Sequence, residues 1–269
     1  MIHKLSDNVM LIKDRREKVI AKLKDNSVDV VIEDIPFGVR KEAWDNKNDY
    51  IAQVGEWLWQ GLRITKSTLV WFCASRMMPY IFRAIYGHEE YFVRLHTWDK
   101  PEGTQFAGAS NNNIWYSIEP ILIFSKNLEL TKSYGKDMPY AYDSFQYRTV
   151  PYKNFGHPTS KPVSLMRKLI GHYSNAGDMV FDGFGGSFST TIAAIDMGRK
   201  IISCEQFPYD DRPIEESPDS ENFNPDYMGR GLQRVQKHLD TPRLFVGESD
   251  NDSEEYEETL NLFEEDENK

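Results

Sequence analysis

The chain alternates short, almost uninterrupted apolar runs with helical patterns, and few architectures accommodate that alternation. NVMLI (8–12), VDVVIE (28–33), TLVWFC (68–73), EYFVRLHTW (90–98), EPILIFS (119–125), DMVFD (178–182) and RKIISCE (199–205) read as strands. Between or after them, RREKVIAKLKD (15–25), IAQVGEWLWQGLRIT (51–65), MMPYIFRAIY (77–86), VSLMRKLIGHYS (163–174), FSTTIAAIDMG (188–198) and YMGRGLQRVQKHL (227–239) carry helical periodicity. A strand without a polar face must be covered on both sides. The expected fold is therefore α/β, with a mostly parallel sheet between two helical layers.

Charge is informative through its distribution. The formal net charge is −10, but residues 248–269 hold 11 acids and one base, so this tail carries all of it. The preceding 247 residues balance at 31 acids and 31 bases, and within them residues 126–172 hold eight Lys/Arg against three Asp/Glu. A basic stretch inside a balanced body is compatible with nucleic acid despite the acidic pI. The tail is too polar to build a core and is expected to be disordered. The Pro- and acid-rich stretch 208–226 reads as a flexible surface loop.

The opening MIHKLSDNVMLIKDRR lacks an apolar stretch of signal-peptide length, and no run approaches the roughly 20 residues of a bilayer span. Cys73 and Cys204 both fall in strand-like runs, as buried thiols do, and neither Cys–Cys nor Cys–His spacing suggests a metal site. No membrane association is expected. The expected setting is intracellular and cytoplasmic.

Three local patterns carry chemistry. DVVIEDIPFG (29–38) ends a buried strand with Asp34 beside the stiff Ile35-Pro36-Phe37-Gly38. DMVFDGFGGSFSTTIAA (178–194) reads as strand, glycine-rich turn and helix start, a backbone that a ligand can approach closely. Some 20 residues after the turn, Glu205 ends the next strand, where an acid can accept the ribose hydroxyls of a nucleoside cofactor. No Gly-Lys-Ser/Thr follows the turn, so it is not a P-loop. HPTSKP (157–162) opens a helix, with Pro162 at its start and Thr159 placed to cap it.

In their order along the chain, these pieces resemble the amino-group DNA methyltransferases of the β class. DIPF (34–37), HPTSKP (157–162) and DGFGGSFST (182–190) match the family's Asp-Pro-Pro-Tyr, His-Pro-Thr-Gln-Lys-Pro and Phe-x-Gly-x-Gly motifs. The resemblance extends from residue 8 to about 206. It implies a Rossmann-like methyltransferase fold with a seven-stranded sheet, spanning residues 1–247, with a target-recognition region inserted at about 100–156. It further implies S-adenosyl-L-methionine as cofactor and double-stranded DNA as substrate, with the target base flipped out of the duplex.

On this resemblance Asp34 and the Ile35 carbonyl accept the hydrogens of the target amine, Pro36 stiffens the turn and Phe37 stacks on the base. Asp182, Gly183, Phe184, Gly185, Gly186 and Ser187 line the cofactor's methionine side, with Glu205 on the ribose. Asp14 stands where the family has a Gly-Asp pair near the adenine, with Lys13 in place of the glycine. His157, Thr159 and Lys161 belong to the motif that closes over the cofactor. Lys132, Lys136, Arg148 and Lys153, interleaved with aromatics over 128–156, are the expected DNA contacts.

An Asp in first position matches adenine-N6 members; cytosine-N4 members usually carry Ser, and cytosine is the alternative substrate. Two residues depart from the family. Ile35 replaces a proline but retains its carbonyl. Phe188 replaces the second motif glycine, and at positive φ its ring is expected to crowd the cofactor. A phenylalanine there also raises the alternative of a weak or inactive methyltransferase-like DNA-binding or regulatory subunit. Two protein partners remain open: a second copy forming a homodimer, and a sliding clamp. The clamp is suggested because TLNLF (259–263) resembles clamp-docking peptides, with Thr259 in place of their glutamine.

Overall fold

The computed structural model describes residues 1–36, 47–104, 116–151, 154, 157, 159–207, 214 and 225–241. The strands are β1 (Ile2–Ser6), β2 (Val9–Lys13), β3 (Val28–Asp34), β4 (Thr65–Phe72), β5 (Phe92–Thr104), β6 (Tyr116–Ser125), β7 (Ser144–Gln146), β8 (Met179–Asp182) and β9 (Lys200–Glu205). They form one sheet in the order β1-β2-β9-β8-β3-β4-β6-β5-β7. From β2 across β9, β8 and β3 to β4 every neighbour is parallel, whereas β6 runs antiparallel to both β4 and β5.

The sheet thus has nine strands among the described residues rather than the expected seven. The additions sit at the edges. Strand β1 folds back antiparallel on β2, and the three-residue β7 adds parallel to β5. Neither carries a continuous apolar run, because an edge strand needs no two-sided cover.

Helices α1 (Arg16–Ile20), α2 (Lys47–Ile64), α3 (Met78–Ala84), α4 (Leu128–Ser133), α5 (Val163–Tyr173), α6 (Ser189–Asp196) and α7 (Tyr227–Asp240) complete the fold. Alternate strand residues feed two separate cores. Met10, Ile12, Val31, Leu69 and Trp71 pack with residues of α1, α2 and α3, including Val19, Leu58 and Ile81. Their neighbours Val9, Leu11, Val30, Ile32 and Val70 pack with residues of α5, α6 and α7, including Leu165, Ile192 and Met228. The period of two along each strand is what divides the sheet into these two faces. Helix α1 is shorter than its sequence pattern, ending at Ile20, although Leu23 beyond it is buried. Asn127 and Asp226 cap α4 and α7 through the amides of Leu130 and Gly229, each cap being worth about 1 kcal/mol.

At the centre, β3 and β8 are parallel neighbours from which the chain winds outward in opposite directions, to β4 and to β9. Such a reversal opens a crevice at the carboxyl ends of the strands. Asp34, Asp182 and Glu205 end β3, β8 and β9 there, which is why three distant segments share one rim.

Candidate active site

Strand β3 delivers Asp34 level with Phe72 of β4. Ile35 is 1% exposed and belongs to the core shared with α1–α3. Its buried side chain anchors the turn where the family uses a proline ring, so rigidity here comes from packing. Pro36 follows on the surface. Phe37 lies outside the described residues.

The Asp34 carboxylate is divided in function. Its Oδ2 accepts from Lys161 Nζ at 2.6 Å. Its Oδ1 is buried and has no hydrogen-bond partner among the described residues. A buried carboxylate oxygen without a donor costs on the order of 1–3 kcal/mol, so a donor offered by a bound molecule is favoured there. Burial pushes the Asp34 carboxyl up to about 6, opposed by the Lys161 ammonium and reinforced by the nearby charge of Glu119.

Lys161 is engaged at the end of β3. Its ammonium bridges Asp34 and Glu119, at 3.0 Å from Glu119 Oε1, while Glu119 Oε2 takes Lys100 Nζ at 2.7 Å. The four side chains alternate in sign, and the ammoniums lie against aromatic faces: Lys100 is 4.4 Å from the Trp98 ring centroid and Lys161 is 5.2 Å from that of Phe72. Burial alone would lower the Lys161 pKa, but Asp34 and Glu119 outweigh it and hold it above the usual lysine value. Burial alone would raise the Glu119 pKa, yet Lys161 and Lys100 hold it below the ordinary range. Sequence reasoning passed over Glu119, Lys100 and Trp98. The available signal was charge inside apolar strands, Glu119 before PILIF and Lys100 after HTWD.

On the other side of the crevice, the turn after β8 is held from within. Asp182 Oδ1 accepts from Phe184 N at 3.0 Å, and burial pushes the Asp182 carboxyl up to about 7. Glu205 accepts from Gly186 N at 2.8 Å and Phe207 N at 2.9 Å, which fixes the carboxylate and leaves further lone pairs on both oxygens. Gly183 is required for a reason other than ligand approach: a Cβ there would lie 2.5 Å from both Arg16 Cγ and Glu33 Oε1. Those two residues form a buried bidentate ion pair, at 2.7 and 3.0 Å, which the sequence did not reveal. Phe184 packs edge-on against Trp57 with 5.2 Å between ring centroids.

His157 packs against Tyr227 of α7, tilted by 55° with 4.4 Å between ring centroids, and a Cβ on Gly186 would come within 2.8 Å of its Nε2. The histidine therefore sits on the glycine turn. Its Nδ1 accepts from Thr159 N at 3.3 Å. Burial, then Lys161, Arg230 and Arg234, push its pKa down to about 3, which keeps it neutral. Thr159 is exposed and caps nothing; helix α5 starts behind Pro162, with no side-chain cap.

Phe188 adopts φ 57° and ψ 33°, the left-handed conformation its family position requires. The ring expected to crowd the cofactor is turned into the protein rather than into open space. The ring is fully buried in the core beneath α7, where a Cβ on Gly231 would collide with it. Burying a phenyl ring is worth roughly 2–3 kcal/mol. That exceeds the ~1–2 kcal/mol cost of the left-handed backbone. Arg234 of α7 also donates to the Ser187 carbonyl, so the last helix braces the turn at two points.

Asp14 follows β2, whose Lys13 is in register with Glu205, so it reaches the same rim. There Asp14 Oδ1 accepts from Arg15 N at 2.8 Å. The expected DNA contacts divide. Lys132 and Lys136 are not brought to the crevice. Thr131 of α4 bonds Thr68, four residues before Phe72 on β4, and Gly135 abuts the backbone of His172 near the end of α5. Both places are at the amino ends of the parallel strands, about 13 Å or more from Asp34 at the rise of a strand. Lys132 instead pairs with Glu129 at 2.9 Å. The exposed Arg148 follows β7 next to Tyr147, whose carbonyl takes the Trp98 indole at 2.7 Å, and this places it on the rim side. Lys153, the tail and nearly all of 208–224 lie outside the described residues.

A sequence profile of the N6/N4 methylases, described as DNA methylase, matches residues 28–209. The chain belongs to this DNA methylase family. Among curated relatives of this methylase, the DNA adenine methyltransferase YhdJ of Escherichia coli (strain K12) is 25% identical over 255 residues, covering 80% of this chain and 79% of its own. The solved structure of the PvuII DNA methyltransferase (cytosine-N4-specific) superposes with a TM-score of 0.64 at 15% identity, over 94% of this chain and 90% of that one. That of the M1.HpyAVI–SAM complex gives 0.59 at 20% identity, over 84% and 98%. At these identities the structural likeness establishes the methyltransferase fold. No helix among the described residues is long and apolar enough to cross a membrane.

Proposed function

We propose that this methylase transfers a methyl group from S-adenosylmethionine to the N6 amine of adenine in DNA. The observation that carries the proposal is Asp34 Oδ1, a buried acceptor in the crevice with no donor among the described residues. An exocyclic amine is a poor nucleophile because its lone pair delocalises into the ring. Accepting its two hydrogens, at Asp34 Oδ1 and at the Ile35 carbonyl, localises and aims that lone pair, which is catalysis by orientation and preorganised charge. S-adenosylmethionine supplies the methyl on a sulfonium, ready for displacement.

The acids at the tips of β8 and β9, Asp182 and Glu205, with Asp14 just past β2, form a carboxylate set suited to that cofactor's hydroxyls and its cationic amino-acid end. The relative M1.HpyAVI was solved with the same compound. Adenine is favoured by the aspartate in first motif position and by the adenine specificity of YhdJ. The test is incubation with labelled cofactor and unmethylated genomic DNA, followed by nucleoside analysis. Label in N6-methyladenine is expected; label in N4-methylcytosine would reassign the base.

The acceptor role has a pH signature. With its carboxyl raised to about 6, Asp34 is ionised above that pH and protonated below it, and a protonated Oδ1 no longer accepts. Single-turnover methylation should therefore fall about tenfold per unit as pH drops below about 6. A rate that stays level between about pH 5 and 8 would count against ionised Asp34.

DNA affinity should weaken steeply with salt as phosphate contacts release counterion. Removal of residues 248–269 should tighten binding at low salt, since a tethered polyanion competes with DNA for basic groups. A truncation that changes neither affinity nor salt slope would separate the tail from the DNA surface.

A further inference from the structure

The buried chain Asp34–Lys161–Glu119–Lys100 contains more charge than holding one aspartate requires. Lys161 alone would neutralise Asp34. A lysine that belonged only to Asp34 would swing toward whichever carboxylate oxygen is open, since its three donors rotate freely on a flexible stem. Glu119 prevents this by holding the ammonium in an ion pair, its Oε1 3.0 Å from Lys161 Nζ, and it is fixed in turn by Lys100 at 2.7 Å. Each tether comes from a different element: Glu119 from β6, Lys100 from β5 and Lys161 from the segment before α5. In the sheet Glu119 pairs with Trp98, which packs beside both ammoniums.

We propose that Glu119, anchored by Lys100, is a positioning residue that shares Lys161 with Asp34 and thereby keeps Asp34 Oδ1 open as a hydrogen-bond acceptor. The proposal rests on the reading of Asp34 given above. Its physical content is that Glu119 draws away part of the Lys161 attraction and adds its own negative charge, so Asp34 is a stronger proton and hydrogen-bond acceptor than in an isolated pair. Among the described residues, His157 faces Lys161, and the other ionisable groups that face this cluster are the Cys73 thiol beyond β4 and Asp182 at the end of β8. Burial raises both, to about 12 and about 7. Neither supplies a cation that could replace Lys161.

The test reads Asp34 directly, by carboxyl-carbon NMR titration of the full chain labelled at aspartate, with the resonance assigned by its loss in Asp34→Asn. In Glu119→Gln the midpoint should move down by about one pH unit or more, the size of effect a neighbouring charge exerts. Because that variant leaves Lys100 without its carboxylate, a second one, Lys100→Met/Glu119→Leu, replaces the whole pair with apolar groups of similar volume. It should move the midpoint the same way, since Glu119 acts on Asp34 more strongly than Lys100 does. The acid limb of methyl transfer should follow the titration. An unmoved midpoint in both variants overturns the proposal. So does lost activity with an unmoved midpoint, which would make Glu119 merely structural. Absence of methyl transfer from the unaltered chain would instead remove the assigned reaction and leave the titration result standing.

Discussion

Replacing Asp34 with alanine should lower methyl transfer by at least roughly 10²–10³-fold, the usual effect of deleting one preorganised group from a polar transition-state site. The substitution removes the open Oδ1 and also frees Lys161 from its 2.6 Å contact. The ammonium, still paired with Glu119, then faces the amine with no carboxylate between them, and a cation there repels the charge that develops on nitrogen during attack. Cofactor affinity, measured by calorimetry, should change by no more than a few fold, because Asp34 ends β3 whereas the carboxylates assigned to the cofactor lie at β2, β8 and β9. Asp34→Asn is the informative companion. Its amide oxygen can accept from Lys161 or from the amine but not as strongly from both, so intermediate activity is expected. Transfer within a few fold of the unaltered chain in Asp34→Ala would remove Asp34 from the mechanism, whatever its geometry.

The second large effect is on stability. Phe188→Gly should destabilise the fold by roughly 2–3 kcal/mol, although glycine is the residue the family motif would place there. Deleting a buried phenyl ring costs about 3–5 kcal/mol in transfer and cavity. Relief of the left-handed backbone returns ~1–2 kcal/mol of that. For a chain of this size the net loss corresponds to a melting temperature lower by about 5–10 °C.

The partner position offers an independent check. Gly231→Ala should be damaging in the unaltered chain, where the added methyl collides with the Phe188 ring, and nearly harmless once that ring is gone. A double-mutant cycle should return a coupling of about 1–3 kcal/mol. If Phe188→Gly melts at or above the starting temperature, or tightens cofactor binding tenfold, then the ring obstructs the crevice after all.

Much of this organisation is legible without coordinates. Uninterrupted apolar runs such as DVVIE and MVF demand cover on both faces, and that requirement alone selects a parallel α/β sheet. Because ligands of such sheets gather at the carboxyl ends of the strands, an acid closing an apolar run is already half a site. Asp34, Asp182 and Glu205 could be chosen for that reason, from local sequence and from the order of their motifs.

What only the tertiary structure decided are meetings between segments with no local signature. Lys161 reaches across 127 residues to Asp34. Glu119 and Lys100 stand out as charges inside apolar strands, but only the antiparallel pairing of β5 with β6 brings them together. Lys132 and Lys136 share the basic, aromatic composition of a DNA surface, yet α4 follows the end of β6 and so lies at the opposite pole of the sheet. Phe188 reads as an obstruction because its compensating vacancy, Gly231, is on a helix 43 residues later. Periodicity reports which way a side chain faces relative to its own strand or helix. It carries no information about which distant side chain will occupy the space in front of it, and that placement is what divides the Asp34 carboxylate into a tethered oxygen and an open one.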